Sequence, residues 1–384
     1  MIPNTSKISP PEATTVSQIV EFLYRNNSAE IDLWKKSAQS IAINAYEHHI
    51  TFTTNVFIPL TFLCSNVCDY CGFHRSKVLP GQEFLKPERV ERILSLAQNQ
   101  GVSEVLITMG EKPEKKHSVA KKWLTKHGFE STTDYTHFIA EKALKYDLLP
   151  HINAGTLTLD ELRHLREVSA SIGLMLETIS IRLTQAGLPH FRSPDKHPKK
   201  RIKTITSAGE LKIPFTSGIL IGIGETLEEI VESLFALKNI HQKHQHIQEV
   251  IIQNFQPHKN SIMANHSPPS LDLMEKILIV ARHILPPDVS IQIPPNLVQN
   301  YEDRFIKAGM SDWGGISAIT HDYINPDHKW PSISKLEEVT KQAGYSLRER
   351  LPVYPRFINT EWLSERVHEL ARIKNQKIRM AVEQ

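Results

Sequence analysis

From about residue 55 onward, short apolar runs rich in Val, Ile and Leu alternate with longer segments in which apolar residues recur every three or four positions. The first pattern reads as buried strand, the second as helix with one face on a core. Strands are predicted at residues 56–60, 104–108, 149–153, 171–177, 215–221, 249–253 and 289–293. Pro87 opens a helix whose face carries Val90, Ile93, Leu94 and Ala97, and Gly101 ends it. Further helices are predicted at 134–145, 201–211 and 271–285, and two more behind the capping boxes Thr158-x-x-Glu161 and Thr226-x-x-Glu229. Before the first strand, Val16, Ile19, Val20 and Leu23 mark a helical lead-in, and 361–380 forms a basic amphipathic helix at the other end. The lysine-rich stretch 112–130 reads as a solvated excursion and 187–200 as a Pro-rich, basic loop.

Strands alternating with helices at this spacing imply βαβ units and a parallel sheet. Six or seven units predict an α/β fold, an open or partial (β/α) TIM-like barrel. The expected organisation is a lead-in over 1–50, a barrel over 51–295, and a loop-rich closing segment with a C-terminal helix over 296–384. Chemistry in such barrels sits at the carboxyl ends of the strands. The unusual residues do follow strands: cysteines after the first, Gly110-Glu111 after the second, Asn153 and Gly155 after the third. Glu177 follows the fourth, Gly222-Ile223-Gly224-Glu225 the fifth, and Gln253-Asn254 the sixth. Within 296–384, Asp312-Trp313-Gly314-Gly315-Ile316-Ser317 and His321-Asp322-Tyr323-Ile324-Asn325-Pro326 suit either a loop closing over a ligand or a tight structural turn.

Composition changes this picture little. A formal net charge of +3 on 384 residues gives no reason to invoke nucleic acid or a membrane surface. No run is apolar enough to span a bilayer, and Met1 to Phe22 lacks the basic-then-apolar order of a secretory signal. His241, His244 and His246 read as a solvated helix end.

The cysteines change it decisively. All three fall in one loop, Cys64-x3-Cys68-x2-Cys71, directly after the first strand. An odd count in adjacent loop positions makes a poor disulfide framework and fits a reducing cytosol. Metal is the natural reading. Iron–sulfur clusters take cysteine thiolates, usually four, so three would leave one iron open. Zinc is the alternative, with His74 completing a Cys3His set.

The order Cys-x3-Cys-x-Tyr70-Cys, together with Gly110-Glu111 and the run from Gly218 to Glu225, resembles the radical S-adenosylmethionine superfamily. Leu220 stands where the superfamily's fifth-strand motif has Ile. The resemblance implies a 4Fe–4S cluster on Cys64, Cys68 and Cys71, and S-adenosylmethionine met by Tyr70, Gly110, Glu111, Glu177, Arg201 and Gly222. A narrower resemblance, over roughly 45–335, is carried by Asn55–Thr61, Gly110–Glu114, Leu149–Thr156, Gln248–Phe255 and the two late clusters. These resemble the family that closes the deazaflavin ring of 7,8-didemethyl-8-hydroxy-5-deazariboflavin, except that Gly72-Phe73-His74-Arg75 departs from its pattern after the last cysteine.

That resemblance implies a radical lyase. A 5′-deoxyadenosyl radical starts ring closure, with loss of ammonia, in an adduct of a tyrosine-derived hydroxybenzyl group and a ribitylaminopyrimidine. Substrate contacts would come from Asn153, Gln253, Asn254 and Asp312. The implied partners are the small-molecule substrate, a companion tyrosine-coupling subunit, and an electron donor such as ferredoxin or flavodoxin. Two alternatives stand beside it: the companion radical enzyme that joins tyrosine to 5-amino-6-(D-ribitylamino)uracil, and a zinc-stabilised barrel without radical chemistry.

Overall fold

The computed structural model describes residues 15–382; the first fourteen residues of the expected lead-in lie outside them. In chain order the elements are α1 (Val16–Tyr24), α2 (Ser28–Tyr46), β1 (His49–Thr61), α3 (Pro87–Asn99), β2 (Glu104–Met109), α4 (Ser118–Lys126), α5 (Thr132–Lys145) and β3 (Leu149–Asn153). Then come α6 (Leu159–Arg166), β4 (Ser171–Gly173), α7 (Pro198–Glu210), β5 (Phe215–Ile221), α8 (Leu227–His244), β6 (Ile247–Asn254), α9 (Leu271–Ile284) and β7 (Ser290–Gln292). The chain finishes with α10 (Glu302–Lys307), β8 (Asp312–Ile316), α11 (Ile333–Gln342), β9 (Ser346–Glu349) and α12 (Glu365–Val382).

Strands β1 to β8 pair in sequence order and β8 returns to β1, all parallel, so the ring is a closed TIM-like barrel; β9 adds to β1 outside it. The expected barrel is present, but it closes with a strand where the sequence reads as loop. The Asp312–Ile316 run is β8, not a lid. Its register with β1 skips between Thr51 and Thr53, and its glycines weaken any strand signal. Two further expectations change. The 112–130 stretch holds α4, whose Ala120, Trp123 and Leu124 are buried, with Trp123 stacked on Phe84 at 4.7 Å. His241 and His246 are buried rather than solvated, held by Asp288 at 3.2 Å and by the Ile205 carbonyl at 2.9 Å. Both capping boxes form as expected. Among the described residues no helix is long and apolar enough to cross a membrane.

The strands are buried on both faces, but the two faces differ chemically. On β1, Val56, Ile58 and Leu60 join the core under the helices, whereas Thr53, Asn55 and Phe57 point into the barrel. On β2, Val105 and Ile107 face out and Glu104, Leu106 and Thr108 face in; β6 likewise turns Glu249, Ile251 and Gln253 inward. Outward burial of each aliphatic side chain contributes about 1.5–3 kcal/mol. The lumen departs from the usual aliphatic filling of such barrels.

The amino-terminal end of the lumen is plugged by the segment after β9. Arg350 forks onto Asp312, with Nε 2.5 Å from Oδ2 and Nη2 2.8 Å from Oδ1, and Nη2 also reaches Glu249 Oε1 at 3.0 Å. The hydroxyl of Tyr354 donates to Asp312 at 2.9 Å, and Gln248 donates to the Pro352 carbonyl at 2.9 Å. Burial pushes the Glu249 carboxyl up to about 8 and that of Glu104 up to about 7, from an ordinary 4.5. Both are therefore protonated when folded at mildly acidic pH but ionised in the unfolded chain. Their stabilising contribution is complete below about pH 4.5 and is lost as pH rises through 7 to 8. Urea midpoints measured from pH 5 to 8.5 should accordingly fall less steeply in Glu249→Gln than in the wild type. An unchanged slope would refute the assignment.

Candidate active site

Thr61, at the end of β1, accepts from the Leu63 N–H at 3.1 Å and donates to the Glu83 carbonyl at 2.7 Å, turning the chain into the cysteine loop. The loop is then tied to its surroundings by backbone bonds. Ser65 N–H donates to the Glu111 carbonyl at 2.8 Å, Val67 N–H to Arg192 at 3.1 Å, and Asp69 N–H to Pro189 at 3.1 Å. Arg75 folds its guanidinium back onto the carbonyls of Gly72 and His74 at 2.7 and 3.0 Å. From behind, His117 of the α4 insert reaches the Cys64 carbonyl at 2.9 Å. The stretch that reads as a solvated excursion thus braces the loop.

All three cysteines are free, and each sulfur receives one hydrogen bond. Glu111 N–H donates to Cys64 at 3.1 Å, Ser193 O–H to Cys68 at 3.2 Å, and His74 N–H to Cys71 at 3.4 Å. Burial pushes the Cys64 thiol up to about 12 and the Cys68 thiol up to about 11. Thiolates here therefore require a strong positive charge at the sulfurs, which a bound metal centre supplies. Among the described residues no group of three or more His, Cys, Asp or Glu is placed to hold a single metal ion. The zinc arrangement with His74 requires such convergence; an iron–sulfur cluster, whose thiolates each take a different iron, does not. The donor set fits the cluster.

Gly110 makes the first of these sulfur bonds possible. A Cβ there would lie 2.0 Å from the Leu63 carbonyl oxygen and 2.8 Å from Cys64 Cβ, so only glycine lets the end of β2 approach the loop. The side chain of Glu111 is turned away from the sulfurs. It accepts from Thr156 N–H at 3.0 Å and Thr156 O–H at 2.7 Å, and Gly155 leaves the space it occupies.

The cysteines open onto a cavity of about 350 Å3 at the carboxyl end of the barrel. Of the residues singled out from sequence, Tyr70, Gly110, Glu111, Asn153, Glu177, Arg201 and Gln253 line it with the three cysteines. Glu177 adopts φ +66° while its backbone bridges to β5, a strained conformation of the kind found at functional sites. Burial works to raise its carboxyl, but Lys196, paired directly with it, and Arg201 at 3.5 Å outweigh that and hold it below the ordinary value. Arg201 is itself buried, with Nε donating to the Met175 carbonyl at 2.5 Å. Burial likewise keeps the Tyr70 phenol protonated, 3.0 Å from Nε2 of a His190 held neutral.

Three of the singled-out residues are placed elsewhere. Gly222, at φ +98°, forms a turn in which Glu225 accepts its N–H at 2.6 Å; Leu220, two residues earlier, lines the cavity instead. Asn254 is buried against the Leu297 carbonyl at 3.4 Å, outside the cavity wall. Asp312 lies at the plugged end, both oxygens committed to Arg350, Tyr354 and Gly314. Conversely, Lys196, Ser193 and His190 belong to the site although sequence reasoning passed over them. Their one signal was position: the 187–200 loop follows a barrel strand.

Comparison with known proteins agrees with this geometry. Residues 58–237 match the family model of the Radical SAM superfamily. The 7,8-didemethyl-8-hydroxy-5-deazariboflavin synthase of Methanocaldococcus jannaschii is 46% identical over 352 residues, covering 91% of this chain and 96% of the relative. The synthase of the same name from Methanothermobacter thermautotrophicus is 48% identical over 320 residues, covering 83% and 96%. Among solved structures, the FeFe-hydrogenase maturase HydG from Carboxydothermus hydrogenoformans superposes with a TM-score of 0.71 at 19% identity over 96% of this chain and 86% of its own. Methylornithine synthase (PylB) superposes with 0.67 at 16% identity, covering 87% and 94%; at these identities the likeness is one of fold. Identity at this level along nearly the whole length of the synthases settles the lineage: the chain belongs to the radical SAM superfamily and, within it, to the 7,8-didemethyl-8-hydroxy-5-deazariboflavin synthase family.

Proposed function

We propose that the chain is a radical lyase that closes the ring of 7,8-didemethyl-8-hydroxy-5-deazariboflavin, with loss of ammonia, from an adduct of a tyrosine-derived hydroxybenzyl group and a ribitylaminopyrimidine. The observation that carries the proposal is the hydrogen-bonded cysteine triad at the mouth of a barrel cavity, in a chain 46% identical to a synthase of that name. When bound, a 4Fe–4S cluster and S-adenosylmethionine supply one-electron cleavage of a carbon–sulfur bond and so start hydrogen abstraction from the substrate.

The chain's own part is positional. Cys64, Cys68 and Cys71 would hold the cluster, the three being all the cysteines in the sequence. Gly110 and the Glu111 backbone, Glu177 with Arg201, and Tyr70 are the candidates for the cofactor, and Lys196 keeps Glu177 anionic toward it. Asn153 and Gln253, deeper in the cavity, are the candidates for substrate. Leu220 and Phe255, which line the cavity with Tyr70, supply an apolar wall for a flat ring and exclude water, with Leu183, Ile223 and Met263 packed in the same cluster. The proposed setting is the cytoplasm, with an electron donor of ferredoxin or flavodoxin type and a companion tyrosine-coupling subunit that provides the adduct. The relatives' name favours ring closure over the coupling reaction.

The test is anaerobic reconstitution with iron and sulfide, followed by separate feeding of the adduct and of tyrosine with the pyrimidine. The expected protein is brown, bleaches with dithionite, cleaves S-adenosylmethionine and turns over the adduct. His74→Ala should retain its iron. A colourless protein that binds zinc and loses it in His74→Ala would overturn the proposal.

A further inference from the structure

Below the cavity that holds the cysteines, the lumen continues into a second chamber of about 150 Å3. The two share a collar that includes Phe57, Leu106, His151, Asn153, Ile251 and Gln253. The upper space is walled by the thiols and by Glu177, Lys196 and Arg201 among apolar side chains. The lower one has no thiol and sets Thr53, Asn55, Glu104, Glu249 and Gln292 among apolar side chains.

The barrel strands make room for these polar side chains. A Cβ on Gly315 would lie 2.1 Å from Asn55 Nδ2, and one on Gly314 would lie 2.2 Å from Gln292 Nε2. At the collar, a Cβ on Gly173 would lie 2.1 Å from Asn153 Oδ1 and 2.8 Å from His151 Nε2. Glycines on β4 and β8 thus give up packing area so that amides and an imidazole can stand in the lumen. One of the groups so placed lacks a partner: Asn55 Oδ1 is buried without a hydrogen bond. A buried polar atom left unpaired is costly, and a ligand with hydroxyl groups recovers that cost.

The charge of the chamber narrows the ligand. Arg350 is already engaged by Asp312 and Glu249, leaving no free cation for a phosphate or carboxylate. Burial raises the Glu104 and Glu249 carboxyls to about 7 and about 8, so at mildly acidic pH they offer O–H donors as well as acceptors. A neutral chain with several hydroxyls matches such a wall; an aliphatic chain leaves its acceptors bare.

We propose that the lower chamber is a binding subsite for a neutral polyhydroxyl chain, the ribityl arm of the substrate, with Asn55 and Gln292 as its principal hydrogen-bonding side chains. This rests on the ring-closing reading. It places the ring system in the upper cavity beside the cysteines and sends the arm through the collar.

The test is calorimetric binding of 5-amino-6-(D-ribitylamino)uracil and of its N-methyl counterpart, which lacks the hydroxylated arm. The samples are the reconstituted wild type, Asn55→Leu and Gln292→Leu, with adduct turnover measured alongside. Gln292 is the less buried of the two and guards against a variant that fails to fold, which circular dichroism checks. The wild type should prefer the ribityl compound by at least about tenfold, one tenfold step being about 1.4 kcal/mol. Each variant should lose most of that preference while S-adenosylmethionine cleavage without substrate stays unchanged. A wild type that closes the ring yet binds both compounds equally, or variants that keep the full preference, would overturn the subsite and leave the function standing. A wild type that prefers the ribityl compound but does not close the ring would sink the function and leave the subsite.

Discussion

Gly110→Ala is expected to lower turnover by about a hundredfold or more and to reduce the iron retained after reconstitution, although no ligand is changed. The added Cβ would meet the Leu63 carbonyl oxygen at 2.0 Å and Cys64 Cβ at 2.8 Å. Neither contact is the free end of a flexible side chain, so the cysteine loop or the end of β2 must shift by about an ångström. A misplacement of that size in a reacting constellation costs about 10²-fold. The shift also breaks the bond from Glu111 N–H to the Cys64 sulfur, which stabilises the more negative, reduced cluster. The reduction potential of whatever cluster remains should therefore move to more negative values. Gly128→Ala is the control for a strained glycine replacement away from the loop: alanine is disfavoured at φ +81°, but its Cβ would meet nothing within 4 Å, so stability should fall while iron content and potential stay at wild type. Iron content, potential and turnover equal to wild type in Gly110→Ala would show that the close approach has no bearing on the cluster.

The site's chemistry was legible in the sequence wherever it depends on local spacing. Cys64, Cys68 and Cys71 announce themselves because a loop this short brings their sulfurs to one place. Gly110, Glu111 and Glu177 are found because they follow strands whose carboxyl ends meet at one mouth. What escaped is held together by tertiary contact. Nothing in the 187–200 run separates Ser193, which donates to the Cys68 sulfur, from Lys199 at the surface. Strand β8 was missed because Gly314 and Gly315 carry no strand propensity. They are small for the sake of Asn55 and Gln292, which lie far away in the chain. The polar lumen was half seen. Gln253 stood out after an apolar run, but Glu249, at the start of the same strand, carried no comparable signal. His241 and His246 looked exposed for the same reason, since a polar residue at an element's end gives no sign of what packs over it. Asn254 was singled out because it follows a strand and Asp312 through the resemblance, but strand alternation turns the first out of the cavity and the Arg350 pair engages the second.

Arg350→Met is expected to cost about 3–5 kcal/mol of folding stability, the effect of leaving a buried charge without its partner. Asp312 is fully buried and its carboxylate takes both arms of the guanidinium. Methionine fills a similar volume, so the loss reports charge rather than a cavity. The variant should also behave distinctively with pH. Arg350 also counters the burial that lifts the Glu249 carboxyl to about 8, so removing it lifts that carboxyl further. The deficit should therefore be smaller at pH 5, where Glu249 is protonated in both folded proteins, and larger toward pH 8, where the wild type can ionise it beside Arg350 and the variant cannot. Adding Asp312→Asn should restore much of the stability, because the amide keeps the shape without the charge. Urea titrations at pH 5 and 8 on the single and double variants read both effects. A deficit that is equal at the two pH values and unrelieved by Asp312→Asn would mean that Arg350 acts by packing. The ion pair would then not be what seals the amino-terminal end of the barrel beneath the polar chamber.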